Sequence, residues 1–123
     1  MHELSICQAL LSQVEAIAAR EGADAVSRIL VRIGPLAGIE PELLSQAFEI
    51  ARAGTPAAAA TLEIEEQALR VRCLACGKEG TTTPEHLRCT TCGDTRIQVI
   101  GGDELLLASV ELLYHEATAQ TNG

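Results

Sequence analysis

The sequence predicts a small α+β protein in which two helices and a small sheet carry an inserted zinc module. Three observations support this fold class. Apolar residues recur at helical spacing near the N-terminus and again after Pro41. Segments that begin near residues 26, 61 and 104 have the composition and alternation of strands. Between the second and third of these segments lie two Cys-x-x-Cys pairs, separated by twelve residues.

The first helix is expected from Leu4 to about Ala19. Its apolar residues recur three and four positions apart, at Leu4, Cys7, Leu11, Val14 and Ala18. Gly22 provides a C-terminal stop. Cys7 lies on an apolar helical face, which favours a small core residue over a soft metal ligand.

A strand is expected from Val26 to Ile33 and ends at Gly34. The alternation predicts that its buried face consists of Ser27, Ile29, Val31 and Ile33. The second helix is expected to begin near Pro41, which suits a first helical turn, and to end before Gly54. Glu40 then lies at the N-terminus of this helix, where the helix dipole favours a carboxylate.

The chain from Thr61 to Arg72 is expected to be extended, with a bend. Its apolar residues change phase near Glu66, which indicates a bulge where the chain leaves the main sheet. After the cysteines, residues 96–100 resemble a short strand, and residues 104–114 resemble a longer strand that returns to the main sheet. A Gly-Gly-Asp turn joins these two strands.

These elements predict three regions. Residues 1–68 and 101–116 form an α/β domain, and residues 69–100 form a zinc-ribbon domain. Residues 117–123 are expected to be a loose polar tail.

Four cysteines have the spacing of a closed tetrahedral zinc site, namely Cys73, Cys76, Cys89 and Cys92. Gly77 and Gly93 each follow the second cysteine of a pair, where a chelating turn often needs positive φ. Two disulfides or chance clustering are the alternatives, but the repeated spacing with matched glycines favours zinc. Four sulfur ligands leave no open position, so this metal is expected to hold structure and not to catalyse.

Charge and aromatic content disfavour several partners. Nine basic against seventeen acidic residues give a net charge of -8, which repels nucleic acids and anionic membranes. One Tyr, one Phe and no Trp leave little for base stacking. The N-terminus lacks the basic and apolar regions of a signal peptide, and no segment is long enough to span a membrane. We expect a cytoplasmic protein, in a compartment reducing enough to preserve metal-binding thiols.

The N-terminal sequence Met1-His2-Glu3 is a second candidate metal site. The α-amine, the amide nitrogen of His2 and its imidazole supply three nitrogens in one plane, which favours Ni(II) or Cu(II) over zinc. An exposed terminal site also suits a metal that is handed on. The alternative is a polar residue at a frayed helix end, and this motif alone leaves both interpretations open.

Five features occur in a specific order along the chain. They are Met1-His2-Glu3, Ile33-Gly34, Ala47-Phe48-Glu49, the cysteine quartet and Gly102-Asp103-Glu104-Leu105. In this order they resemble the HypA/HybF family of hydrogenase nickel-incorporation proteins, and the resemblance covers residues 1 to about 114. It implies a mixed three-stranded sheet with two helices and a zinc-ribbon module.

The resemblance also implies a function. Members of this family are metallochaperones, not enzymes. They deliver Ni(II) to the large subunit of [NiFe]-hydrogenase together with a GTPase maturation partner, and in some organisms they also supply urease. The expected partners are therefore the hydrogenase large-subunit precursor and the GTPase, with the protein itself a monomer or a weak homodimer.

Family positions map onto four residues of the candidate nickel site. His2 matches the essential nickel ligand, Glu3 the acidic residue implicated with it, and Met1 supplies the amine. Glu40 falls where some members place an aspartate near nickel. The cysteine quartet matches the structural zinc ligands.

Other interpretations remain. A zinc ribbon that serves as a structural or interaction module, with no transported metal, is the main alternative. A Cys-x-x-Cys thiol oxidoreductase is disfavoured because zinc withdraws the thiolates from redox chemistry. Several relatives have a histidine beside each cysteine pair, whereas this chain has glycine there. His86 and His115 are therefore interpreted as surface residues.

Overall fold

The computed structural model describes residues 2–114. In this range it contains two helices, α1 (His2–Arg20) and α2 (Pro41–Ala51). Its strands are β1 (Ala25–Ile33), β2 (Thr61–Glu66), β3 (Leu69–Cys73), β4 (Glu79–Thr82), β5 (Ile97–Gly101) and β6 (Leu105–Leu113). They form two three-stranded sheets, in the orders β2-β1-β6 and β4-β3-β5. The predicted fold class is confirmed.

The chain divides into two compact units. Of the described residues, the first unit comprises 2–31, 40–63 and 107–114, and the second comprises 32–39 and 64–106. The predicted assignment of residues 1–68 and 101–116 to a nickel-binding α/β domain, and of residues 69–100 to a zinc-ribbon domain, stays a prediction. The predicted tail lies outside the described residues. Within residues 2–114, no helix combines the length and apolar character that crossing a membrane would require.

Helix α1 buries one apolar stripe and stops where the sequence predicts. Its buried side chains are Cys7, Leu10, Leu11, Val14 and Ala18. Gly22 has φ of 71°, and its N–H donates to the carbonyl of Ala19. The N–H of Ala23 donates to the carbonyl of Ala18 at 2.9 Å. These two bonds form a Schellman motif, which satisfies the last carbonyls of the helix.

Strand β1 buries the predicted residues Ile29, Val31 and Ile33, whereas Ser27 is only half-buried. The prediction was wrong for Val26, which is also buried although it lies in the opposite phase. The N–H of Val26 donates to the carbonyl of Pro56, so the connector after α2 passes against the start of this strand. Two alanines of this connector, Ala57 and Ala60, are buried as well.

The predicted phase change falls between β2 and β3. Strand β3 alternates buried Leu69, Val71 and Cys73 with exposed arginines. It pairs antiparallel with β4 on one side and with β5 on the other.

The sequence analysis missed β4, because its Glu-Gly-Thr-Thr sequence carries no apolar alternation. This strand exists because it pairs with β3, where Glu79 also accepts a hydrogen bond from Arg72 at 2.8 Å.

Two glycines allow the turn after β5 to pass directly over the end of β1. A Cβ atom on Gly34 would overlap the backbone carbonyl of Gly102. Gly102 has φ of 99°, and a Cβ there would lie 2.9 Å from the Cα of Leu69. The N–H of Leu36 donates to the carbonyl of Gly102 at 2.9 Å. Only residues without a side chain fit at this crossing.

We predict that Gly34→Ala lowers the free energy of unfolding by at least about 1–3 kcal/mol, the usual cost of overpacking. The reason is that the new methyl group meets rigid backbone. Urea unfolding measures this change. Gly101→Ala is the matched control, since the atoms nearest its Cβ belong to the Arg70 side chain at 3.4 Å, an ordinary van der Waals contact. An equal unfolding midpoint for the two variants would contradict the close crossing.

Candidate metal centres

The four ribbon cysteines converge as a zinc site requires. Their Sγ atoms all lie within 4.8 Å of one another. The Sγ atoms of Cys73 and Cys92 are 3.6 Å apart, and those of Cys76 and Cys89 are 3.7 Å apart. A tetrahedron with Zn–S bonds of about 2.3 Å has edges of about 3.8 Å. The donor set and spacing therefore fit zinc.

The disulfide alternative does not hold for this structure. All five cysteines of the chain are free. A disulfide requires an S–S distance of about 2.05 Å. The nearest sulfur atoms here are 3.6 and 3.7 Å apart. In addition, the short S–S distances join cysteines of different Cys-x-x-Cys pairs, as expected when both pairs face one ion.

Each Cys-x-x-Cys pair forms the same backbone turn. In the first, the N–H groups of Ala75 and Cys76 both donate to the Sγ of Cys73 at 3.3 Å. Thr91 and Cys92 donate to the Sγ of Cys89 in the same way, at 3.3 and 3.4 Å. The predicted positive φ is confirmed at the glycines that close these turns, with 79° for Gly77 and 80° for Gly93.

These N–H groups favour the thiolate form of the first cysteine in each turn. The N–H of Cys92, followed by that of Thr91, lowers the pKa of the Cys89 thiol to about 6. The N–H of Cys76 likewise lowers the pKa of Cys73. Since the thiolate is the form that binds metal, the folded backbone prepares these two ligands for a cation.

A hydrogen-bond network joins the two turns, and the sequence analysis missed it. The N–H of Leu74, in the first turn, donates to the carbonyl of Arg96. Asp94 Oδ1 accepts the Arg96 N–H at 2.8 Å, and the Asp94 carbonyl accepts the N–H of Cys89. The Arg96 guanidinium lowers the pKa of Asp94 to about 2. The Asp-x-Arg sequence after Gly93 is the signal, because Asp side chains often bond the backbone two residues on.

The predicted nickel residues lie at the start of α1. The His2 side chain is 62% exposed, and its Nδ1 lies 3.6 Å from the nearer carboxylate oxygen of Glu3. Glu3 is only 13% exposed. Its own backbone N–H, and then the backbone of Glu40, lower its pKa. The Glu3 carboxylate therefore lies near the beginnings of both α1 and α2. Met1 lies outside the described residues.

Glu40 occupies the predicted place at the N-terminus of α2. It is the N-cap residue, with extended backbone, and its side chain makes no capping hydrogen bond. Among residues 2–114, the cysteine quartet is the one group of three or more His, Cys, Asp and Glu side chains placed to hold a metal ion. The nickel ligand set of Met1, His2, Glu3 and Glu40 thus stays a prediction.

The remaining candidates lie apart from these sites. Cys7 is fully buried, its thiol is 3.4 Å from the carbonyl oxygen of Leu44, and burial raises its pKa to about 11. It is a core residue, as its helical position predicts. His86 is exposed, with its Nδ1 3.2 Å from the hydroxyl of Thr83. His115 lies outside the described residues.

Fold and site together define a small α+β protein with an inserted four-cysteine ribbon suited to zinc. Residues 1–112 match the family model described as hydrogenase/urease nickel incorporation, metallochaperone, hypA. The chain belongs to the HypA family, and the resemblance noted in the sequence is confirmed.

Individual relatives match along nearly the whole chain. The hydrogenase maturation factor HypA of Nitrosospira multiformis is 50% identical over 113 residues, which cover 92% of this chain and 98% of that protein. The corresponding factor of Aquifex aeolicus is 40% identical over 112 residues, which cover 91% of this chain and 97% of that protein.

Two solved structures share the fold. The solution structure of the Ni metallochaperone HypA from Helicobacter pylori has a TM-score of 0.70 at 24% identity and covers 92% of this chain and 98% of its own. A solution structure of HypA protein has a TM-score of 0.72 at 26% identity. It covers 94% of this chain and 98% of its own.

We predict that Cys76→Ser abolishes the binding of one zinc ion per chain and unfolds the ribbon. Zinc contributes on the order of 10 kcal/mol to folding such modules, and the ribbon has few apolar residues to replace it. Elemental analysis and hydrogen exchange of residues 69–101 measure these effects. Cys7→Ala is the control, because it removes a thiol outside the quartet and should retain zinc. Full zinc content in Cys76→Ser would refute the assignment.

Proposed function

We propose that this protein is a nickel metallochaperone that binds Ni(II) at its N-terminus and delivers it to the large subunit of [NiFe]-hydrogenase during maturation. The match of residues 1–112 to the HypA family supports this proposal most directly. The protein acts as a carrier and not as an enzyme. Its proposed partners are the hydrogenase large-subunit precursor and a GTPase maturation partner, in the cytoplasm.

The start of α1 suits a nitrogen chelate. The first N–H groups of a helix have no acceptor within the helix. Because α1 begins at His2, coordination through the amide nitrogen of His2 would break no helical hydrogen bond. The exposed imidazole and the amine of Met1 complete a set of nitrogens that selects Ni(II) or Cu(II) over zinc. We propose that these atoms are the principal nickel ligands.

Glu3 and Glu40 are proposed to act beside these nitrogens. The Glu3 carboxylate is largely buried, the backbone of Glu3 and of Glu40 lowers its pKa, and His2 Nδ1 lies 3.6 Å from it. A carboxylate this close to the proposed nitrogens attracts the cation that they bind. Glu40 contributes its backbone to Glu3, and its own carboxylate, which is not used in capping, is a candidate for a further ligand position.

The two metals have different proposed roles. Zinc, in a closed sulfur site, stabilises the ribbon. Nickel, at an exposed site, exchanges by an associative path in which ligands of the acceptor replace His2 and its neighbours one at a time. The acceptor must therefore approach the N-terminus closely.

We predict that His2→Ala lowers the Ni(II) affinity of untagged protein by roughly 100-fold or more, since loss of a ligand should exceed the 10- to 100-fold effect of losing a supporting group. Isothermal titration calorimetry measures the affinity, and elemental analysis should find unchanged zinc. The matched control is His86→Ala, which removes the exposed imidazole of the ribbon.

Unchanged nickel affinity in His2→Ala would refute the terminal site. Retained zinc without any nickel uptake by the wild-type protein would instead favour the interaction module considered above. A short N-terminal extension provides a second test, because it blocks the amine of Met1 while leaving every side chain intact.

A further inference from the structure

A groove lies between the first turn of α1 and one face of α2. Its volume is about 160 Å³, and it is lined by Glu3, Leu4, Leu43, Gln46, Ala47 and Ile50. Glu3 at its end is the neighbour of His2, so the groove begins beside the proposed nickel site. All of these residues belong to the first compact unit.

Helix α2 carries two apolar stripes, and only one is covered. Leu44, Ala47 and Phe48 form the buried stripe. Leu43 and Ile50, seven residues apart and therefore on one line of the helix, are 47% and 69% exposed. Ala47 belongs to the buried stripe but also lines the groove, and its small side chain leaves room there. The exposed stripe is not needed for the core of this unit.

The helix that carries this stripe is well anchored. The thiol of Cys7 lies against the carbonyl of Leu44. At the C-terminal end, the Arg52 guanidinium donates to the carbonyl of Ala60 at 2.8 Å and to Glu49 at 2.7 Å. It also lies over the ring of Phe48, 5.7 Å from the ring centre. The groove is therefore a preformed surface.

Acidic residues lie in the groove and next to its apolar residues in the chain. Glu3 lines the groove, and the exposed Glu42 and Glu49 each precede an exposed apolar residue of the stripe. Glu49 is paired with Arg52 at 2.7 Å. The whole chain has a net charge of -8. A complementary surface would present an apolar side chain between basic residues.

We propose that this groove is the docking surface for the hydrogenase large-subunit precursor, which inserts a large apolar side chain from a helical segment with flanking Lys or Arg residues. The inference rests on the proposed function, because associative transfer brings the nickel acceptor to His2, next to the groove. A cavity of roughly 150 Å³ accommodates a benzene-sized group, so one such side chain fits. Apolar positions seven residues apart are typical of helix-in-groove recognition.

The test measures binding of the purified, nickel-free large-subunit precursor from the same organism by isothermal titration calorimetry. Leu43→Glu and Ile50→Glu should weaken binding at least tenfold. Ile50→Ser should also weaken binding. This change only removes apolar surface from an exposed position, so the fold should remain intact. Leu87→Glu is the matched control, because Leu87 on the ribbon is 47% exposed, as Leu43 is. It should bind as the wild type does.

Charge provides an independent arm of this test. Glu42→Lys should weaken binding several-fold and reduce the loss of affinity with added salt, because it places a cation opposite the basic flanks. Nickel titration of every variant should give the wild-type affinity, since none of these residues is a proposed ligand.

The outcomes separate the two proposals. If the wild-type protein takes up nickel and binds the precursor, but the groove variants bind the precursor as tightly, the groove assignment is wrong and the proposed function stands. The groove assignment is also wrong if the groove variants lose binding only to the GTPase partner. A wild-type protein that binds neither nickel nor precursor overturns the proposed function itself.

Discussion

The ribbon depends on four sulfur atoms held within 4.8 Å of one another. Apart from two of these cysteines, only Leu69 and Val71 are fully buried in residues 69–101. A core of this size is small for three short strands, and a zinc ion in the four-cysteine site would supply the missing stability. The backbone N–H groups directed at Cys73 and Cys89 favour thiolates at the site, and the Asp94 network joins its two halves.

Ligand chemistry can keep two metals apart on one small chain. The cysteine quartet offers four soft ligands in a closed arrangement, which suits zinc that stays in place. The N-terminus offers exposed nitrogens, which suit a metal that is passed on. In our proposal the protein avoids exchange between these sites through ligand type and exposure, and each metal has one task.

Helix α2 links core and surface in the first unit. Its buried stripe packs in the core, its N-cap backbone supports Glu3, and its exposed stripe forms the groove. One short helix thus sets both the surroundings of the proposed nickel ligands and the apolar surface beside them. In our proposal, this placement couples nickel transfer to partner docking.

The sequence by itself determined the features with local causes: the period of α1, the stop at Gly22, the alternation of β1 and the paired cysteines with their glycines. The tertiary structure decided the features with distant causes. Val26 is buried because a connector more than twenty residues away crosses it, and β4 forms only because β3 pairs with it. The groove beside Glu3 likewise requires α1 and α2 to meet. Residue spacing records short-range geometry, whereas which surfaces stay uncovered depends on contacts between distant segments.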